Sequence, residues 1–223
     1  MFSHRTQGQI IKPDSKIVVG ITQRIDSVAG RAELRDALDQ RLVQWLVHAG
    51  FLPVVVPNTL SGTGYPSEQI LESWLQAVQP GALILSGGND IGEYPARDAT
   101  ERYLLSWAEA KRVPVLGICR GLQMMAVWSG VDLVKKAGHV GTRHQLAVPA
   151  RKDEWPTEVN SYHNWGLVSC PDGFKVAARA EDGSIEAIGH VELPWEGWMW
   201  HPEREAPFSS QDIKRLKRLF SGK

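Results

Sequence analysis

The sequence predicts an α/β sandwich. In its first half, short β-branched or apolar runs alternate with longer segments of helical period, the pattern of a parallel sheet covered by helices. Beyond Val131, short apolar runs are separated by Gly, Pro and Asp, so the second half adds mostly antiparallel or mixed strands. With 223 residues and 43% hydrophobic composition, the chain suits one large core better than two small ones. The expected division is an N-terminal extension over 1–15 and one domain over 16–223.

The elements follow in order. Lys16 to Ile21 reads as the first strand. A helix is expected from about Glu33 to Ala49, because Leu34, Leu38, Leu42, Trp45, Leu46 and Ala49 share one face at spacings of three and four. Gly50 ends it. Phe51 to Val56 is the second strand, closed by Pro57, and Ser67 is placed to cap a helix running to about Val78. Ala82 to Leu85 is the third strand. Asp98 is the expected N-cap of a helix through Ala110, and Pro114 to Ile118 the fourth strand. From Gly121 to about Ser129 the chain is rich in Leu, Met, Ala and Trp, as a buried helix would be. Short strands are expected around Gln145 to Val148, Leu167 to Ser169, Phe174 to Ala180, Ile185 to His190 and Gly197 to Trp200. A last helix runs from about Gln211 to Phe220, with Ile213, Leu216, Leu219 and Phe220 on its apolar side.

Charge and cysteine usage narrow the function classes. Acidic and basic side chains balance at 25 each, so nothing recommends nucleic acid or an anionic membrane as the main partner, and a small molecule is expected. The two cysteines, Cys119 and Cys170, have neither a disulfide framework nor a paired metal-ligand spacing, which suits a reducing cytoplasm. Met1 to Ser15 is polar, and no later run approaches the roughly 18 apolar residues of a spanning helix. Five of the nine tryptophans sit late, at 155, 165, 195, 198 and 200, as core residues or as pocket walls.

The chemistry concentrates at Val115-Leu-Gly-Ile-Cys-Arg-Gly-Leu-Gln123, which runs from an apolar strand into a helix with a cysteine at the corner. That order describes a nucleophile elbow: side chains at 117 and 121 would collide with the turn, so glycine fits both. A thiol at the helix N-terminus is expected to ionise below the free value of about 8.5. Trp200-His201-Pro202-Glu203 offers a base, since alternation puts His201 and Glu203 on the same side and the carboxylate can hold one ring nitrogen. In Leu85-Ser-Gly-Gly-Asn-Asp90, at a strand's carboxyl end, the N–H of Gly88 joins that of Arg120 as an expected oxyanion hole, worth roughly 3 to 4 kcal/mol per donor. Gln123 lies one helical turn from Cys119 and can face the same cavity. Arg24 and Arg35 are expected near the same sheet edge, where guanidinium groups would meet an anionic leaving group. No cofactor is expected, and no His/Cys/Asp cluster has the linear spacing of a metal site.

Ser-Gly-Gly, Gly-Ile-Cys-Arg-Gly-Leu-Gln, Val-Asn-Ser-Tyr-His-Asn and Trp-His-Pro-Glu, in this order, resemble the class I glutamine amidotransferases, and most closely their free-standing γ-glutamyl hydrolase branch, the peptidase C26 group. The resemblance covers nearly the whole chain from Lys16 onward. It implies a flavodoxin-like three-layer α/β/α sandwich and a Cys119-His201-Glu203 triad that cuts γ-glutamyl amides through a thioester. It further implies that Gln123, Asn160, Ser161, Tyr162 and His163 hold the ends of the glutamyl group. The stretch Arg35 to Gln40, with Asn-Ser-Tyr-His-Asn and Trp-His-Pro-Glu-Arg, is also similar to a narrower branch from bacterial surface-polysaccharide gene clusters, which includes hydrolases of γ-glutamyl-CDP-amidate. Two rivals share the fold: a glutaminase component that delivers ammonia to a partner synthase, and a catalytically silent binding protein. A homodimer stays open.

Overall fold

The computed structural model describes residues 17–61, 67–147 and 155–222. The expected extension over 1–15 lies outside them. In chain order the elements are β1 (Val18–Thr22), β2 (Arg24–Ser27), β3 (Leu34–Ala37), α1 (Gln40–His48), β4 (Leu52–Val56), α2 (Ser67–Val78), β5 (Ala82–Leu85), α3 (Pro95–Lys111), β6 (Val115–Ile118), α4 (Arg120–Trp128), β7 (Leu133–Lys135), β8 (Val140–Gln145), β9 (Glu158–Tyr162), β10 (Trp165–Leu167), β11 (Phe174–Arg179), β12 (Ile185–His190), β13 (Trp195–Trp198) and α5 (Ser210–Ser221).

The central sheet has the order β11-β12-β13-β6-β5-β1-β4. Strands β4, β1, β5, β6 and β13 are mutually parallel, and β12 and β11 extend the sheet antiparallel. The parallel part therefore runs 2-1-3-4-5 in chain order, the flavodoxin-like winding, whose ligands bind beyond the carboxyl ends of the strands. Period-two alternation splits the core. Ala82, Ile84, Leu116 and Ile118 pack with Leu42, Trp45 and Leu46 of α1 and Leu216, Leu219 and Phe220 of α5. Leu83, Leu85 and Val115 face the other way, onto α2, α3 and α4. The result is the expected three-layer α/β/α sandwich.

The strands expected at Gln145 to Val148, Leu167 to Ser169 and Gly197 to Trp200 lie earlier, at Val140–Gln145, Trp165–Leu167 and Trp195–Trp198, with Val148 outside the described residues, and two helix starts also differ. The helix expected from Glu33 starts at Gln40, and Leu34 to Ala37 instead pairs antiparallel with β2. Asp39 wins the N-cap, its carboxylate accepting the Arg41 N–H at 2.9 Å, while Asp36 accepts from both the backbone and side-chain nitrogens of Asn58. Leu34 is 62% exposed, so its helical spacing from Leu38 and Leu42 was fortuitous. The third helix starts at Pro95, suited to N1 by its fixed φ and missing N–H; Asp98 sits within the first turn. Of the five late tryptophans, 155, 195, 198 and 200 are core, with Trp198 and Trp200 stacked at 5.4 Å. Among the described residues, no helix is long and apolar enough to cross a membrane.

Candidate active site

The carboxyl ends of β5, β6 and β13 are neighbours in the sheet, and each delivers one part of the site. At the end of β6, Cys119 takes φ 52° and ψ −103°, a conformation that a non-glycine residue holds only when its surroundings enforce it. Its N–H donates to the Trp198 carbonyl at 2.7 Å, and α4 begins at the next residue. The flanking glycines are sterically required: a Cβ on Gly117 would lie 2.6 Å from the Gly121 backbone, and one on Gly121 would lie 2.1 Å from the Leu85 carbonyl oxygen. The N–H of Arg120, at the helix start, has no intrahelical acceptor.

His201 follows β13 and is buried. Its Nδ1 is 2.6 Å from Glu203 Oε1, and the Cys119 side chain is its other electrostatic neighbour. Burial alone would lower the imidazole's pKa, but the Cys119 sulfur and the Glu203 carboxylate outweigh it and push the ring up to about 9. Asn160 grips the backbone beneath it, accepting the His201 N–H at 3.0 Å and donating to the His201 carbonyl at 2.8 Å. Gly87 leaves room for the ring, since a Cβ there would lie 2.6 Å from His201 Cε1. Gly87→Ala is expected to displace the imidazole from Glu203 and to lower its pKa from about 9, read by NMR titration of His201.

The loop after β5 is held by a buried ionic network. Arg97 donates to the carbonyls of Ser86 at 2.7 Å, Gly87 at 3.1 Å and Gly88, and Gly88 adopts φ +84°. Because the C=O and N–H of a trans peptide point oppositely, the Gly87 carbonyl on Arg97 turns the Gly88 N–H away from that side chain. Asn89 completes the anchoring by exchanging two hydrogen bonds with the Ile25 backbone, at 2.8 and 3.0 Å. Glu101, fully buried, accepts from Arg97 at 3.0 Å, from Thr22 at 2.8 Å and from Arg120. The Arg120 side chain also pairs with Asp98. Burial would raise the Glu101 carboxyl, but the Arg120 and Arg97 guanidiniums hold it below the usual carboxylate range. One cluster thus ties the β5 loop to the first residue of α4. No sequence motif announces this network; Arg97 and Glu101, spaced i,i+4 on an otherwise buried helix face, are its trace.

Two cavities flank the cysteine and histidine, and both include Gly88 in their walls. One, of about 290 Å³, is lined by Cys119, Gln123, Tyr162, His163, Trp165 and the acidic pair Asp90 and Glu93. The other, of about 250 Å³, holds His201 and Glu203 together with Arg24, Arg204, Asp26 and Asp39. Gln123 donates to the Trp165 carbonyl at 2.9 Å. Ser161 is buried and donates to the His139 carbonyl at 2.7 Å, so both Ser161 and Asn160 spend their polar groups inside the protein. Arg24 lines the second cavity, its stem packed over Gly88 and its guanidinium on Asp26 at 2.6 Å. Arg35 lines neither. Neighbouring Asp36 is tied to Asn58, while Arg35 is exposed beside Glu33 at 2.6 Å.

The profile of the Peptidase C26 family matches residues 17–203, most of the chain, including Cys119, His201 and Glu203. The chain belongs to the Peptidase C26 family. As a Peptidase C26 protein it has hydrolases among its relatives. It is 33% identical, over 63% of its length and 70% of the relative's, to the gamma-glutamyl-CDP-amidate hydrolase of Campylobacter jejuni. It is 26% identical to the gamma-glutamyl-gamma-aminobutyrate hydrolase PuuD of Escherichia coli, over 92% of this chain and 91% of that one. Among solved structures, a putative GMP synthase subunit of Thermoplasma acidophilum superposes with a TM-score of 0.67 at 21% identity, covering 92% of each chain. That likeness is one of fold, which is the class I glutamine amidotransferase sandwich.

Proposed function

We propose that this Peptidase C26 hydrolase cleaves a γ-glutamyl amide through a thioester on Cys119, and that its natural leaving group carries phosphate, with γ-glutamyl-CDP-amidate of capsule phosphoramidate biosynthesis as the favoured substrate. Cleavage of γ-glutamyl amides itself follows from the family and from both hydrolase relatives. The observation that carries the finer reading is the division of the site. Cys119 opens on one cavity, His201 on the other, and Gly88 stands where they meet. A scissile amide at that junction puts the glutamyl group beside Cys119, with Asp90 and Glu93 near its ammonium, and the amine beside His201.

The Cys119 sulfur attacks the γ-carbonyl, and the oxyanion meets the N–H groups of Gly88 and Arg120. His201, held by Glu203, gives its proton to the departing nitrogen as the C–N bond breaks. Water then adds to the thioester while His201 takes its proton, the C–S bond breaks, and glutamate leaves. The proton on His201 is needed for the first half, so kcat/KM is expected to fall as pH rises through about 9. A profile that stays flat well beyond that point would contradict the role.

Arg24 and Arg204 in the leaving-group cavity suit a phosphate, and Asp26 and Asp39 suit polar donors alongside it. Arg24→Ala is expected to raise KM for γ-glutamyl-CDP-amidate about tenfold and to leave glutamine turnover within about twofold, the size of one charge-assisted hydrogen bond. The deciding experiment is a rate comparison on γ-glutamyl-CDP-amidate, γ-glutamyl-γ-aminobutyrate and glutamine with the isolated chain. The amidate should rank first. Turnover of glutamine alone would hand the site to the ammonia-delivering reading, which draws on the same fold.

A further inference from the structure

On the far side of the Cys119 cavity, His139, His144, His163 and Glu186 bring one ligand atom each within 4.8 Å of one another. No linear spacing announced them, because they come from four places: the turn before β8, β8 itself, the end of β9, and β12. The sequence has no His/Cys/Asp cluster with the linear spacing of a metal site, and it is the antiparallel half of the fold that brings these four residues together.

The hydrogen bonds around the cluster dictate where its protons sit. A carbonyl only accepts, so His163 Nδ1, 3.0 Å from the Trp165 carbonyl, carries the ring proton and Nε2 is left as a lone pair. His139 Nε2 is 3.1 Å from Asp182 Oδ2. That carboxylate oxygen also accepts from Ser184 Oγ at 2.8 Å, and a carboxylate only accepts, so His139 Nε2 carries its ring's proton. His139 Nδ1 is then a second lone pair, facing His163 Nε2 across 3.2 Å. Glu186 Oε1 lies 3.7 and 3.5 Å from these two nitrogens. Glu186 is fully buried with neither carboxylate oxygen hydrogen-bonded, and His144 Nε2 is likewise buried without a partner. Two imidazole lone pairs and an unbonded carboxylate converge with the unpartnered His144 nitrogen, an arrangement that suits a cation.

We propose that His139, His144, His163 and Glu186 form a tetrahedral site for a divalent transition-metal ion of the zinc class, bracing the wall of the acyl cavity. Two nitrogens bound at about 2.0 Å in a tetrahedron stand about 3.3 Å apart, close to the spacing already present. Asp182 and the Trp165 carbonyl are the outer partners that orient the two rings, as carboxylates and carbonyls do behind zinc-bound histidines. The Trp165 carbonyl also receives Gln123, so the ion would stiffen the wall that Gln123 and His163 present to Cys119.

The test is a titration of the chelator-treated full-length protein with Co²⁺, followed by displacement with Zn²⁺ and thermal melting. One equivalent per chain with a tetrahedral visible spectrum, and a melting temperature raised by Zn²⁺, are expected. His144→Ala should abolish that spectrum. Asp182→Asn, at a half-exposed position that should not disturb folding, should weaken affinity by about 10- to 100-fold. Cys119→Ser should bind as the parent does. No uptake with an unchanged melting curve would mean that the cluster holds only a proton, and would overturn the proposal. Binding that survives both His144→Ala and Asp182→Asn, or that disappears in Cys119→Ser, would also overturn it by placing the ion elsewhere.

Discussion

Replacing Cys119 by alanine is expected to lower γ-glutamyl amide hydrolysis by roughly 10⁴-fold or more, the usual scale for removing a nucleophile from a set of groups that act as one unit. The geometry leaves no understudy. Cys170, the other free thiol, stands away from both cavities, and burial raises its pKa. The elbow is built by Gly117, Gly121 and the Cys119 N–H bond to Trp198, none of which involves the sulfur. The variant should therefore fold normally, with urea-unfolding stability within about 1 kcal/mol of the parent. Activity surviving in Cys119→Ala would place the chemistry on a different group.

The second large effect is on stability. Glu101→Gln is expected to cost about 3–5 kcal/mol in urea denaturation, because it leaves two buried guanidiniums facing a neutral amide. Arg97 is fully buried and Arg120 nearly so, and burial already lowers the Arg97 pKa despite its acidic neighbour. Glu101 is the carboxylate they share. The sign of the pH dependence follows. Glu101's folded pKa is depressed, so its contribution is present above the unfolded carboxyl value and is lost as pH falls through the lower folded one. The parent should lose stability in acid more steeply than Glu101→Gln. Because the same network sets the β5 loop, any folded Glu101→Gln protein should also show a reduced kcat.

The parallel half of the sheet was legible because its strands are continuous apolar runs and its glycine pattern around Cys119 has one steric solution. Leu34 shows where periodicity misleads: three hydrophobic residues at helical spacing did not outweigh the capping preference of Asp39 and the ties on Asp36. Strands β7 and β9 went unread because neither belongs to the central sheet; each pairs only within a two-stranded sheet. At the site, the cysteine, histidine and glutamate were visible as local motifs. Asn160 was visible too, but its work on the His201 backbone depends on a contact 41 residues away. The Arg97-Glu101-Arg120 network and the histidine cluster were hidden for the same reason. Long-range polar contacts leave no periodic trace, and a charged residue looks alike in sequence whether it meets water or another buried charge.

The central claim is that the γ-glutamyl group passes through a thioester on Cys119. Rapid acid quench of the protein with excess γ-glutamyl-CDP-amidate, followed by intact-mass and peptide mass spectrometry, tests it most directly. One added glutamyl group is expected on the peptide containing Cys119, formed before glutamate reaches its steady rate of release and absent in Cys119→Ala. Steady turnover of the amide by the parent with no glutamyl adduct at any quench time, or with an adduct on another residue, would contradict it.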